Sequence, residues 1–237
     1  MIRTVLKERI VSNSMIPFVI KDEVVNQKMH IEQFFPTPIG IIPIDKAVNK
    51  KILELIKIKK WNITKNGDAG NSISSDVHIL DNDELSDIKK VLTDSVNEYF
   101  KEIVNPGKDI KLYITTSWIN LNKNGESHHL HKHPNSIVSA ILYIDTCEED
   151  TISFINERTD VFGNLKFTMG HSETKWTTPE WSTSAMVNTL IMFPSSLPHH
   201  VHPRPNACKG TRISLAFNTW FKGEMGLDVS CADQLSL

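Results

Sequence analysis

The run Ser127-His128-His129-Leu130-His131-Lys132-His133-Pro134-Asn135-Ser136-Ile137-Val138-Ser139-Ala140-Ile141-Leu142-Tyr143 decides how the rest of the chain is read. It holds four of the ten histidines in a sequence of 237 residues. Three more, His199, His200 and His202, follow Phe193-Pro194-Ser195-Ser196-Leu197-Pro198. Scattered surface histidines do not gather in two windows. Imidazole is the commonest neutral metal ligand, and side chains two apart on a strand point to the same face. His131 and His133 therefore present their rings on one side, and His199 follows the apolar run Thr189-Leu190-Ile191-Met192-Phe193-Pro194. Two such windows are what a metal site assembled across a β-barrel needs.

Strand periodicity surrounds both windows. From Ile110 onward Leu112, Ile114, Thr116, Trp118 and Asn120 fall on one face, and Tyr113, Thr115, Ser117 and Ile119 on the other. Further strands are expected at 137–144, 151–156, 165–169, 185–193 and 212–221, separated by turn-rich pieces. Upstream, the prolines of Phe34-Phe35-Pro36-Thr37-Pro38-Ile39-Gly40-Ile41-Ile42-Pro43 favour extended chain. Asp45 is placed to cap a short helix with Val48, Ile52, Leu55 and Ile56 on one face. Residues 61–75 read as loop. Asp81-Asn82-Asp83-Glu84 looks like a capping box for a helix in which Leu85, Ile88, Val91, Leu92, Tyr99, Phe100 and Ile103 recur at helical spacing and which stops at Asn105-Pro106-Gly107. The expected fold is mainly β with flanking helices, an antiparallel sandwich or jelly roll in one domain.

Net charge is −2, so no electrostatic footprint for nucleic acid or an anionic membrane stands out. Cys147, Cys208 and Cys231 show no paired spacing, and an odd, sparse count fits a reducing cytoplasm better than a disulfide framework. No apolar run reaches the roughly 18–20 residues needed to span a bilayer. The expectation is a soluble cytoplasmic protein. Neither Cys147 nor Cys208 has a visible base partner, which argues against nucleophilic catalysis.

Three histidines from one side leave the opposite positions of an octahedral metal open, which is the logic of the iron facial triad. Downstream, Arg212-Ile213-Ser214-Leu215-Ala216-Phe217-Asn218 puts Arg212 and Ser214 on one strand face. An arginine on an apolar strand is costly to bury unless it meets an anion. Arginine with a hydroxyl two residues on makes a fork for a carboxylate.

The order His-x-His, Leu142-Tyr143, Phe193-Pro194-x4-His-x-Val and Arg212-x-Ser214 resembles the Fe(II)/2-oxoglutarate-dependent dioxygenases. Trp118-x-Asn120, Gly125, His131-x-His133-Pro134-Asn135-Ser136-x-x-Ser139 and Phe193-Pro194-Ser195 resemble a group of 2-oxoglutarate oxygenases from bacteria and phages, and Phe35-Pro36-Thr37-Pro38-Ile39 resembles that group's start. The likeness divides the chain into an extension at 1–33, an oxygenase domain at 34–223 with its β core at 110–223, and a tail at 224–237. It implies a double-stranded β-helix (a cupin-like jelly roll), one Fe(II), and 2-oxoglutarate as cosubstrate. Carried over by position, His131, His133 and His199 would be metal ligands, and Arg212 and Ser214 would grip the distal carboxylate with Tyr143 as a third donor. The superfamily usually has Asp or Glu where His133 stands. His129-x-His131 has the same spacing; Pro134-Asn135-Ser136 after His133 favours the His131/His133 register.

The activity so implied is hydroxylation of a small-molecule or peptidyl substrate with release of succinate and CO2, with no catalytic group beyond the metal centre. Asn120 is open between orienting the cosubstrate and ending a strand, and Tyr143 between ligand donor and core. Trp118, Asn135, Trp176 and Trp181 are candidate substrate contacts, the last two in an irregular insertion at 170–184. His128, His200 and His202 read first as solvated or hydrogen-bonded residues. Two rivals keep the barrel: a cupin-like three-histidine metalloenzyme without 2-oxoglutarate, and a non-catalytic jelly-roll binding module. Oligomeric state stays open, a homodimer included.

Overall fold

The apolar runs of the second half pair into two antiparallel sheets in the computed structural model, which describes residues 10–11, 14–15, 33, 36–59, 63–66, 70–107, 109–157, 174–226 and 235–236. Two compact units result, residues 1–37 and 38–237. In the first, β1 (Ile10–Val11) pairs with β2 (Ser14–Met15).

The second unit opens with β3 (Gly40–Pro43), α1 (Lys46–Lys59), β4 (Ile63–Lys65), β5 (Ser72–Ser74) and α2 (Ser86–Val104). Eight strands then form the body: β6 (Lys111–Asn122), β7 (His128–His131), β8 (Val138–Asp145), β9 (Thr151–Ile155), β10 (Glu180–Ser184), β11 (Thr189–Pro194), β12 (His199–Val201) and β13 (Arg212–Lys222). A short pair, β14 (Glu224–Met225) with β15 (Leu235–Ser236), follows. The larger sheet runs β3-β11-β8-β13-β6-β5-β4 and the smaller β10-β9-β12-β7. The chain passes repeatedly from one sheet to the other, which is the jelly-roll, or double-stranded β-helix, topology.

Alternation along the larger sheet serves two cores. Leu142, Leu190, Met192, Leu215 and Ile119 pack toward the helices, with Ile52 of α1 and Ile88, Leu92 and Val96 of α2. Their neighbours Tyr143, Ile191 and Phe193 face the other way and meet Ile152 and Phe154 of β9 between the sheets. That second face holds the site.

Several expectations change. The faces of β6 do not alternate unbroken: Asn218 pairs with Thr116 but Thr219 pairs with Ile114, so Thr115 bulges and inverts the register. Leu112 and Ile114 thus join Ile119 in the helix-side core, while Trp118 and Asn120 face the pocket. Asp45 does cap α1, accepting the Ala47 N–H at 2.8 Å. The acidic run at 81–84 lies instead in two 3-10 turns, and α2 starts at Ser86 without a side-chain cap. Asn105 closes that helix in the left-handed conformation, φ 49°. Residues 61–75, read as loop, include β4 and β5, and the insertion at 170–184 ends in β10. The strand expected at 185–193 begins at Thr189, after Asn188 at φ 63°. The strand expected at 165–169 lies outside the described residues. Cys147 and Cys208, read as unpaired, form a disulfide: folding brings together two loops that their spacing of 61 residues does not relate.

Candidate metal centre

The two histidine windows meet because β7 and β12 are hydrogen-bonded neighbours, with His131 directly opposite His199. His133 stands two residues beyond the end of β7, where Pro134 ends any ladder pairing and Asn135 takes φ 57°, a conformation asparagine tolerates. Its backbone N–H donates to the Ser195 carbonyl at 3.0 Å. Ser195 Oγ lies 2.7 Å from Ser136 Oγ and 2.8 Å from Ser139 Oγ, and Ser139 donates to Asn218 Oδ1 at 2.8 Å. This hydroxyl chain ties the His133 loop to β8, β11 and β13. The motif serines of the sequence are its members.

One ligand atom from each of His131, His133 and His199 lies within 4.8 Å of the others. Two of the rings are oriented by carbonyls: His131 Nδ1 is 2.8 Å from the His129 oxygen, and His199 Nδ1 is 3.0 Å from the Leu197 oxygen. A carbonyl can only accept, so each Nδ1 carries the proton and each Nε2 keeps its lone pair. Burial pushes His199 down to about 3 and His133 down to about 4, with His131 adding in both cases. It also lowers His131. All three are neutral near pH 7, the form that binds a cation. His129 is exposed. His128, read as solvated, lines the pocket and stacks on His131 with ring centroids 4.4 Å apart.

Trp118, Asn120, Ser139, Ile141, Ile152 and Phe193 complete the pocket wall. Asn120 Oδ1 accepts from Asn71 Nδ2 at 3.1 Å, and the Trp118 ring lies 5.8 Å from His133. Arg212 begins β13 on the same face as Ser214, and Ser214 stands between Asn120 and Tyr143 in the ladder. Arg212 is 4% exposed. Its Nη2 donates to Asn122 Oδ1 at 2.9 Å and its Nη1 to the Thr151 carbonyl at 3.3 Å. Among the described residues, Nε and the buried Tyr143 hydroxyl have no hydrogen-bond partner. Among the described residues no carboxylate forms an ion pair with Arg212. Burial holds Arg212 below the ordinary guanidinium value and pushes the Tyr143 phenol up to about 12. Arg212 in turn adds to the lowering of His128, after burial and the neighbouring histidines.

Asn135 is exposed and outside the pocket wall; Trp176, half-buried under the Lys175 ammonium at 4.8 Å, and Trp181, 61% exposed on β10, lie outside that wall too. Sequence reasoning missed Asp150 and Arg204, an ion pair at 3.1 Å with both side chains buried. Arg204 also donates to Asn124 Oδ1 and the Gly210 carbonyl at 2.9 and 2.7 Å. No spacing rule relates residues in two separate loops, so nothing in the sequence marked this pair.

Residues 116–218 match the family model described as "Putative 2OG-Fe(II) oxygenase". No curated protein matches the chain. Among solved structures, a Pseudomonas putida prolyl-4-hydroxylase is similar at 12% identity and TM-score 0.51, over 77% of this chain and 92% of that one. HygX from Streptomyces hygroscopicus, solved with nickel and 2-oxoglutarate bound, is similar at 10% identity and TM-score 0.54, over 77% and 82%. The non-heme alpha-ketoglutarate-dependent epimerase SnoN from nogalamycin biosynthesis is similar at 10% identity and TM-score 0.55, over 78% of each chain. These likenesses place the fold, and the family match lies on the strands that carry the histidines and Arg212. Residues 116–218 are thus the stretch of this chain that is similar to the 2OG-Fe(II) oxygenases.

Proposed function

We propose that the protein hydroxylates a small-molecule or peptidyl substrate, with His131, His133 and His199 as the iron ligands and Arg212, Ser214 and Tyr143 as the seat of the 2-oxoglutarate distal carboxylate. The observation that carries the reading is the convergence of the three imidazole ligand atoms within 4.8 Å. The donor set fits the group: neutral nitrogen ligands suit iron, and an unpartnered guanidinium nitrogen beside an unpartnered phenol suits a carboxylate. When bound, iron and 2-oxoglutarate supply oxidation of a C–H bond coupled to decarboxylation to succinate and CO2.

The chain's own residues orient and exclude. The His129 and Leu197 carbonyls fix the two rings with Nε2 toward the centre. Ser195 and its hydroxyl chain hold the His133 loop against β8. Asn120 stands at the pocket wall beside Ser214 in the ladder, where it orients the cosubstrate. Phe193, Ile152 and Ile141 keep the wall apolar, which strengthens polar contacts made inside. Trp118 is proposed as the inner substrate wall, with Trp176, Trp181 and Asn135 as outer contacts. The domain is taken as 34–223 in a cytoplasmic protein, and the reading requires neither nucleic acid, membrane nor a second copy.

The test is an aerobic assay of succinate release with Fe(II), 2-oxoglutarate and a metabolite and peptide panel. Turnover that needs both additions and vanishes in His199→Ala is expected. Iron uptake without any 2-oxoglutarate binding would sink the proposal. That second result would favour a three-histidine metalloenzyme acting directly on its substrate, a reading to which the all-histidine set gives weight.

A further inference from the structure

His199 and His200 are adjacent on β12, so their side chains leave opposite faces of the smaller sheet. His199 turns inward to the centre described above. His200 turns outward, and there it meets Glu180 of β10 and His202 just past β12. The sheet order β10-β9-β12 puts Glu180 and His200 on either side of β9, with Ser153 of β9 opposite both Ser182 and His200. His202 Nε2 lies 2.6 Å from one Glu180 oxygen and His200 Nε2 lies 3.3 Å from the other. Ligand atoms of the three residues all fall within 4.8 Å of one another.

We propose that Glu180, His200 and His202 form a second divalent-metal site on the outer face of the smaller sheet, with Zn(II) as its occupant. Two imidazoles and one carboxylate are a common zinc donor set, and bonds of about 2.0–2.1 Å in tetrahedral geometry put ligand atoms roughly 3.3 Å apart. The His200–Glu180 separation already has that value. The shorter His202–Glu180 contact, 2.6 Å, is a hydrogen bond, and a cation replacing the imidazole proton opens it by about 0.7 Å to the tetrahedral spacing. The carboxylate has the backing a ligand needs: the Ser153 hydroxyl, 2.7 Å from Ser182, also bonds Glu180. His200 is largely buried and His202 largely exposed, so the fourth position opens to solvent. Borderline-soft nitrogen donors with a single carboxylate favour Zn(II) over Mg(II) or Ca(II). A bound ion would join the edge strand β10 to β12 across β9, one residue from His199.

The test is equilibrium dialysis of chelator-stripped full-length protein against Zn(II), with metal counted per chain. Wild type is expected to hold two equivalents, and Glu180→Gln and His202→Ala one each, the lost site weakening by about a hundredfold or more. His131→Ala reports on the inner site alone, so the two readings fail separately. One equivalent in wild type that survives both outer variants overturns the proposal. So do two equivalents that survive them, because the second ion then sits elsewhere. Co(II) supplies an independent readout: the outer variants should each lose one set of visible absorption bands that His131→Ala keeps.

Discussion

Tyr143→Phe separates a ligand role from a packing role, because the two predict opposite responses. The Tyr143 ring is fully buried in the core between the sheets, and its hydroxyl has no hydrogen-bond partner among the described residues. Its backbone oxygen, which accepts from Asn49 Nδ2 at 3.0 Å and from the Asn188 N–H at 2.9 Å, is untouched by the change. A buried hydroxyl without a partner costs about 1–3 kcal/mol. Removing it should leave the metal-free protein as stable or more so, and 1 kcal/mol recovered in a domain of this size raises Tm by about 2–4 °C. The phenol, held protonated up to about 12 by burial, is a donor throughout the assay range. A hydrogen bond to a charged group contributes roughly 1.5–3 kcal/mol, so KM for 2-oxoglutarate should rise roughly ten- to a hundredfold. Thermal melts of the apo protein and succinate-release kinetics at varied 2-oxoglutarate measure both. A Tm that falls by several degrees while KM stays put would refute the reasoning, since the hydroxyl would then be serving the fold and not the cosubstrate.

Arg212→Lys keeps the charge but loses the planar fork and the Asn122 contact; KM for 2-oxoglutarate should rise by about a hundredfold with Fe(II) uptake retained, and an unchanged KM counts against the carboxylate seat. His199→Ala should abolish iron retention at the inner centre in anaerobic dialysis, because the two remaining imidazoles cannot close the set. Arg204→Met leaves the Asp150 carboxylate buried and unpaired, a loss of about 3–5 kcal/mol. That should lower Tm by roughly 6–20 °C, and a drop under 2 °C would show the pair to be idle. The acid response follows from the pocket histidines. Their folded values, about 3 for His128 and His199 and about 4 for His133, lie below the ordinary 6.5. The unfolded chain therefore takes up protons first, so their stabilisation is complete above about 6.5 and is lost as pH falls through about 4 toward 3. Melts of the chelated protein between pH 7 and 3 should show this, and the loss should shrink in His133→Gln.

How much was legible follows from which interactions are local. The Arg212-x-Ser214 pair keeps its period of two as a shared strand face and the apolar run before His199 becomes β11, whereas His133, read as sharing a strand face with His131, lies past the end of β7 and reaches the centre from a loop. The Asp45 cap and most of the apolar face of α2 are equally local and were readable, although Val91 and Ile103, apolar at the same spacing, are exposed. Asp150 with Arg204, Cys147 with Cys208, and Glu180 with His200 and His202 are not, because each joins segments that only the sheet order brings together. His128 was misjudged for a related reason: a histidine at the start of a strand looks solvated until its stacking partner, His131, is known to face the pocket.

The strand faces failed at one position, and the failure points to how the site is built. Alternation continued through Thr115 would send Trp118 and Asn120 toward the helices with Leu112 and Ile114. The bulge lets one strand feed the helix-side core at its start and line the pocket at its end. Two other breaks in the ladders sit at the site as well: between His199 and Val201 where β12 pairs with β7, and between Ile213 and Ser214 where β13 pairs with β8. Three irregularities on strands that carry a metal-ligand candidate, the guanidinium and the pocket wall re-aim side chains that an unbroken ladder would have set at regular spacing. A deletion of Thr115 is therefore a sharper probe of the architecture than any pocket substitution. It restores strict pairing but turns either Leu112 and Ile114 out of the core or Trp118 and Asn120 out of the pocket. Loss of folding would report the first outcome. A folded protein whose Trp118 no longer quenches on metal binding would report the second, and a folded protein with the pocket intact would show that the bulge is incidental.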